Sequence, residues 1–497
     1  MLLNTITPRH ERQLRLVAAS LLCAGLLYCF RWAAIGHNQS PIQSVDGRHH
    51  ASQHKLPAPS DSSILETLGV LGSFEFQRFC VIPREREGLE RQVHIDVTKE
   101  IFTGNAARTL QPLDVTGHLP ACSTEITLDV AGFQESATDD TGALILGIAT
   151  KLDRVEASLN EMQRWISRTN TRLLVLVVDT PEFESDPGTI ASIRTLAAKL
   201  EIDMVLKPHD KPDDSEGLKN FGLAEPLLAE ARRRPGTRWV GVIDDDTFIV
   251  SLPQLIARLD TFDHSKQMYV GQLSEGWTRI SHEGMKAWGG AGIFLSLPLL
   301  HELVKHSDEC KALNVWFGDV LWRDCIFAVT APTVRLSRLE GLNQMDIWRD
   351  PSGWYESGQD VILTVHHWKS WHFHPVPMAH LVTDIAGPDS FLQRYLFTED
   401  QVVLTNGYSL VHYPKQVPDL RLMELTMVED VGIEQSPEWQ EFHESYGRTR
   451  PALPREDKVS WMFTHAAKDM DGNVRQFYVR KTDETTSVVE LDWIAST

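Results

Sequence analysis

Positive charge is in short supply: 48 lysines and arginines stand against 68 aspartates and glutamates, a formal net charge of −20 over 497 residues. A field of that sign repels polyanions and argues against a nucleic acid as partner. Long apolar runs are missing beyond the first forty residues, which excludes a multispan membrane protein. At 42% hydrophobic and 23% charged, the composition is that of an ordinary globular chain rather than a disordered one. Cysteine is scarce, six in all, and Cys23 and Cys29 sit within the one apolar run. Cys80, Cys122, Cys310 and Cys325 remain as an even set. Proximity pairs Cys80 with Cys122 and Cys310 with Cys325, buried free thiols being the alternative. N-glycosylation sequons are rarer still, with only Asn38-Gln39-Ser40 present.

What is there begins with that apolar run. Arg9, Arg12 and Arg15 precede an uncharged stretch, Leu16 to Phe30, that ends at Arg31 and Trp32. As a helix it spans roughly 22 Å, short of a ~30 Å hydrocarbon core. Snorkelling of Arg31, with Trp32 at the interface, lengthens it enough for a thin bilayer. The reading is a cytoplasmic tail at 1–15, a transmembrane anchor at 16–35 and a lumenal remainder, with a cleaved signal peptide as the competing reading. Residues 36–63, rich in His, Gln, Ser and Pro without apolar period, read as a stem. Residues 64–140 mix short apolar runs with turn residues and point to no role.

A regular alternation follows. Leu144 to Ala149, Leu173 to Val178, Ile202 to Leu206 and Trp239 to Ile243 read as strands; between them lie helical spacings at Val155, Leu159, Met162 and Ile166, at Ile190, Ile193, Leu196 and Leu200, and over Leu223 to Arg233. This β-α-β order predicts a largely parallel sheet covered by helices. Ser251-Leu252-Pro253-Gln254 reads as a capping box, and Ser296-Leu297-Pro298 opens the next helix in the same fashion. Near the C-terminus, Trp461 to Thr464 and Gln476 to Val479 flank the Asp471-Gly472-Asn473 turn and predict a hairpin.

The fourth strand runs straight into Asp244, Asp245 and Asp246. Three adjacent carboxylates repel one another, which is costly unless a cation or a hydrogen-bonding ligand relieves them. Strand C-termini are where open α/β sheets bind ligands, and Mg²⁺ or Mn²⁺ held there takes its remaining ligands from water and phosphates. The pattern therefore points to a nucleoside-diphosphate substrate, against the plainer reading of an acidic turn or helix cap. Trp288-Gly289-Gly290-Ala291-Gly292 lets backbone approach a ligand closely or simply makes a turn.

Taken in order, RWVGVIDDDTFI, YVGQLSE (Tyr269 to Glu275), WGGAGIFLS, FGDVLWRDC (Phe317 to Cys325), LTVHHWKSW (Leu363 to Trp371), FLQRYLF and LTNGYSLV resemble the Fringe-like glycosyltransferases of family 31, in their fungal-type branch. The likeness runs from about residue 141 to 413. It implies a GT-A-type, Rossmann-like mixed sheet flanked by helices as the catalytic domain (141–380), with a β-rich C-terminal extension (381–497). The N-terminal run, read as an anchor, points instead to the location: Golgi or endoplasmic reticulum, single-pass type II with the catalytic domain lumenal. The implied reaction is inverting transfer of a hexose or N-acetylhexosamine from a UDP-sugar to a glycan or glycoprotein hydroxyl, β-1,3 in linkage, with Mn²⁺ or in its place Mg²⁺. On this resemblance Asp246 is the metal ligand, Asp244 and Asp245 help to hold ribose and metal, and His366 or His367 completes the metal site. Asp319 takes the place of the base, with Asp324 as second candidate because Gly318 stands where the family has a further acid. Thr150 and Arg154 meet the nucleotide, Gly289 and Gly290 line the donor, and Trp288 stacks on a sugar face.

Other readings compete. His366, His367, His372 and His374 lie within nine residues, yet their spacing fits no zinc signature and no cysteine lies near. A metal-dependent phosphoesterase and a non-catalytic sugar-binding relative are the two rival functions. Arg154 in a surface ion pair, Trp288 in plain packing and Asp319 as a helix cap are the bland alternatives.

Overall fold

A computed structural model describes residues 61–102, 107–112, 119–122, 124–132, 140–427 and 448–495. The tail, the apolar run with Cys23 and Cys29, Asn38 and the linker as far as residue 60 lie outside them. Among the described residues no helix is long and apolar enough to cross a membrane. The stem reading ends sooner than expected, because a helix, Asp61–Thr67, starts inside it and buries Ile64 and Leu65.

The expected alternation forms a seven-stranded mixed sheet. Its order is Leu336–Arg338, Tyr269–Gly271, Ile293–Ser296, Trp239–Val242, Leu144–Thr150, Arg172–Val177 and Met204–Pro208. The last four run parallel, while Ile293–Ser296 is antiparallel to both neighbours. Leu144, Ile145, Leu146 and Ile148 are almost wholly buried, the continuous apolar pattern of a strand covered on both faces. Each such side chain contributes about 1.5–3 kcal/mol. The helix Leu152–Ile166 buries Val155, Leu159, Met162 and Trp165, and its first amide, Leu152 N, donates to Asp179 Oδ1 from the end of the next strand (2.9 Å). Ser251 caps Leu252–Leu259 as its motif predicts, accepting from Gln254 N. Ser296 does not act the same way: its hydroxyl accepts from Met268 N and donates to Lys266 O, tying down a loop instead of the helix start.

The C-terminal hairpin forms, Val459–Lys468 against Val474–Lys481, and Thr486–Trp493 adds a third strand. That strand pairs in parallel with Phe74–Glu85, so residues flanking the seven-stranded sheet's segment on both sides share one ten-stranded sheet. Short local patterns carry no trace of such long-range pairing.

A three-stranded sheet sets the site. Thr364–Val365 runs antiparallel to Phe248–Ile249, with Val365 opposite Phe248, and parallel to Leu342–Asn343. This register lays the residue after Val365 beside the residues just before Phe248.

Both expected disulfides are formed, Cys80–Cys122 and Cys310–Cys325. The second, with 15 residues of separation, ties Ser307–Ala312 to Gly318–Thr330 and closes the segment carrying Asp319 and Asp324. Replacing both cysteines with alanine is expected to lower unfolding stability by about 3 kcal/mol, the loop-closure value for this length, in urea melts followed by tryptophan fluorescence.

Candidate active site

The tight turn after Trp239–Val242 is built by Thr247. Its hydroxyl accepts from Asp244 N (3.0 Å) and donates to Gly290 O (2.8 Å), joining the acidic turn to the glycine segment. The three-stranded register then delivers His366, whose Nε2 lies 2.9 Å from Asp246 Oδ1 and 3.4 Å from Asp244 Oδ2. Its Nδ1 lies 3.0 Å from Gln344 O, a carbonyl that can only accept, so that nitrogen carries a proton and Nε2 is aimed at the carboxylates. Gly290 is required here. A Cβ on it would lie 2.2 Å from the His366 ring. The glycine run therefore makes room for a histidine, and Gly289 brings backbone beside Asp244, where a Cβ would sit 3.6 Å from Oδ1.

Asp245 turns the other way. It accepts from Thr150 Oγ1 and from Arg154 Nη2 (2.5 Å), so both residues expected at the nucleotide are gathered on this carboxylate. His367 has a left-handed backbone (φ 53°), which throws its ring against His366 (centroids 3.8 Å apart) and Trp371 (3.9 Å, nearly parallel). Its Nε2 lies 3.2 Å from Asp346 Oδ1, and its Nδ1 lies 3.1 Å from Ser370 Oγ. Asp246, His366 and His367 each offer a ligating atom within 4.8 Å of the others. His372 and His374 do not join them: burial holds both neutral, at about 4 and about 3, with His372 against Ile347 O and His374 against Tyr355 and Tyr408.

Asp319 sits in the first turn of Gly318–Thr330, where a helix N-terminus favours a carboxylate. Its Oδ1 accepts from Val320 N (2.9 Å), and its Oδ2 lies 2.5 Å from Lys286 Nζ. Asp319 contributes to the negative field felt by Asp244, and Asp324 is turned to Arg323 Nε (2.8 Å). Gly318 has a packing reason: a Cβ there would come 2.6 Å from Asn220, whose Oδ1 accepts from Trp322 Nε1 (2.8 Å). Trp288 is 4% exposed, with Lys286 Nζ 3.1 Å from its ring centroid, so that aromatic face holds an ammonium rather than lying open to a sugar.

Lys286 is the residue the sequence reading missed. It is fully buried, held by Asp319, by Glu283 (3.2 Å) and by the Trp288 ring. The available signal was a lone cation just ahead of the Trp-Gly-Gly run. Glu275 and Asp346 were missed too. Burial and the nearby Asp346 charge push Glu275 up to about 8, leaving it neutral at pH 7, where it accepts from Met345 N (2.7 Å).

Residues 279–381 match the family described as protein of unknown function, DUF604. The match takes in Lys286, Trp288, Asp319, Asp324, His366 and His367, and it stops short of the three aspartates. No curated protein matches the chain. Among solved structures, mouse xyloside xylosyltransferase 1 in its apo form is similar at 11% identity over 39% of this chain and 84% of that one, with a TM-score of 0.25. A glycosyltransferase involved in glycosylation of the major capsid of PBCV-1 shares 12% identity over 45% and 92%, at 0.25. An active-site mutant of LgtC shares 10% over 39% and 72%, at 0.26. Scores this low do not place the chain in a fold group.

The His366–Asp246 pair has a defined pH window. Burial pulls His366 down, but the hydrogen bond and charge of Asp246 and the charge of Asp244 more than offset it and raise it from 6.5 to about 9. Burial pushes Asp246 up, but His366, His367 and Ser370 carry it well below the usual carboxylate range. The histidine contribution is complete below pH 6.5 and is lost as pH rises through 9; the aspartate contribution is present above 3.8 and is lost as pH falls further. The stability difference between wild type and His366→Gln, measured by urea unfolding without divalent ions, is therefore expected to be largest near pH 5–6 and to shrink steadily toward pH 9.

Proposed function

We propose that this protein is an inverting, Mn²⁺-dependent glycosyltransferase, Fringe-like and β-1,3 in linkage. It would move a hexose or N-acetylhexosamine from a UDP-sugar to a hydroxyl of a glycan or glycoprotein. It would work in the lumen of the Golgi or endoplasmic reticulum, held by a single N-terminal type II anchor. The observation that carries the reading is the meeting of Asp246 with His366 at the end of a central strand, 2.9 Å apart. A carboxylate oxygen and an imidazole nitrogen whose far side is fixed by a carbonyl form a donor set that suits Mn²⁺ better than Ca²⁺.

In this reading Asp246 and His366 hold the cation, with His367 beside them, and Mg²⁺ could take its place. When bound, the ion would neutralise the diphosphate and act as Lewis acid for the departing UDP. Arg154, 56% exposed at its side chain, is free to turn from Asp245 to the diphosphate, which it can grip bidentately. Asp319 is the base. Lys286 and the Val320 amide fix its two oxygens, and each oxygen keeps a further lone pair for the acceptor hydroxyl proton.

A two-metal phosphoesterase needs a second set of ligands near the first. Among the described residues the other close group is Cys80, Cys122 and Asp492, whose sulfurs are tied in a disulfide. A non-catalytic relative draws on Gly318, yet the space beside that glycine is filled by Asn220 and Asp319 keeps its place.

Asp246→Ala is expected to abolish Mn²⁺-dependent UDP binding in calorimetry; unchanged affinity would remove the metal assignment. Asp319→Asn keeps Lys286 paired with Glu283 and is expected to bind UDP normally while turnover falls about 10²–10⁴-fold. Activity persisting in that variant would transfer the base role to Asp324.

A further inference from the structure

A cavity of about 330 Å³ lies where the edge of the seven-stranded sheet meets the C-terminal part of the chain. One wall is Gln272 to Glu275 and Arg338 to Asn343, following the strands Tyr269–Gly271 and Leu336–Arg338; the other includes Gln359, Asp360, Arg421 and Arg448. Its size falls within the range of small-molecule sites, but its lining departs from their usual apolar character. Amides, carboxylates and guanidinium groups line it, with Leu273, Trp354 and Met423 among them.

Several of these groups are hydrogen-bonded within the protein, although the charged ones are exposed. Asn343 Nδ2 donates to Gly341 O (2.8 Å) and Thr364 O (2.9 Å). Gln272 Oε1 accepts from Arg338 Nε (2.9 Å), and Gln359 Nε2 donates to Ser357 Oγ (2.7 Å). The charges balance locally. Arg421 is engaged by both oxygens of Asp419 (2.9 and 2.8 Å), while Glu340 and Asp360 face the same space as Arg338 and Arg448. A lining with donors and acceptors of both signs gives little net attraction to an anion, and it matches a ligand whose every edge is a hydroxyl.

The cavity is also joined to the candidate active site. Trp288 N donates to Gln272 O (3.2 Å), which links its wall to the segment carrying Lys286, the partner of Asp319. Asn343 lies on the strand that pairs with Thr364–Val365, directly ahead of His366. Backbone pairing thus links the cavity wall to the segments that carry Lys286 and His366.

We infer that this cavity is a binding site for an uncharged saccharide, the part of the acceptor glycan that lies beyond the reacting hydroxyl. The choice of acceptor over other sugars rests on the transferase reading; the presence of a saccharide site does not. It gives the C-terminal part of the chain a task, since Arg421 and Arg448 close the cavity from that side.

The test is titration of the full chain, without metal or nucleotide, with lactose, cellobiose, mannobiose and N,N′-diacetylchitobiose by saturation-transfer NMR and calorimetry. At least one is expected to bind saturably. The same sugar is expected to bind at least tenfold more weakly to a Gln359→Ala/Asp360→Ala variant with an unchanged thermal melt, and equally well to Asp246→Ala. Failure of the unmutated chain to bind UDP in the presence of Mn²⁺, together with intact sugar binding, would remove the transferase reading and leave the saccharide site. Absence of saturable binding across the panel, equal binding in the double variant, or displacement of the sugar by inorganic phosphate would each overturn the inference.

Discussion

Asp246 and His366 stand 2.9 Å apart although they come from distant parts of the chain, and the short antiparallel pairing of Thr364–Val365 with Phe248–Ile249 keeps them there. Around this contact the protein solves one electrostatic problem three times. Asp246 is answered by His366, Asp245 by Arg154 and Thr150, and Asp319 by the buried Lys286. Carboxylates gathered this closely would destabilise the fold if left alone; these three each have a counter-charge from a different element, while Asp244 shares His366 with Asp246 and is pushed up to about 6 by burial. The arrangement therefore needs no ligand to balance most of its charge.

Glycine and threonine give the turn its shape. Thr247 ties the acidic turn to Gly290, and Gly290 has no side chain because the His366 ring occupies the place where one would be. The same logic explains Gly318, which lies against Asn220 in front of the candidate base. In the sequence Gly290 looks like loop punctuation, and Gly318 looks like a missing acid. In the folded chain they are the points where a side chain from another element must pass.

Much of the seven-stranded sheet and its helices was legible because it is written locally. Apolar runs such as Leu144 to Ala149, helical spacings such as Val155 to Ile166 and the three aspartates after Trp239 to Ile243 each report on their own neighbourhood, and the strands and helices fall where those patterns place them. The two cysteine pairings were close enough in sequence to be read by proximity. Contacts made across the chain were not legible. Nothing near Phe74 announces Thr486–Trp493 as its neighbour, and nothing near Lys286 announces that Asp319 and Glu283 will compensate its burial. In the isolated chain Trp288 and Arg154, expected to meet a ligand, contact Lys286 and Asp245, because an isolated protein turns its polar groups on one another.

The central claim is that Asp246 and His366 together hold a divalent cation that in turn holds a nucleoside diphosphate. Electron spin-echo envelope modulation of the protein loaded with Mn²⁺ and UDP tests it most directly. The account predicts a directly coordinated imidazole nitrogen that disappears in His366→Ala, together with ³¹P coupling from UDP. A manganese signal with no nitrogen coupling, or one unchanged by loss of His366, would contradict it.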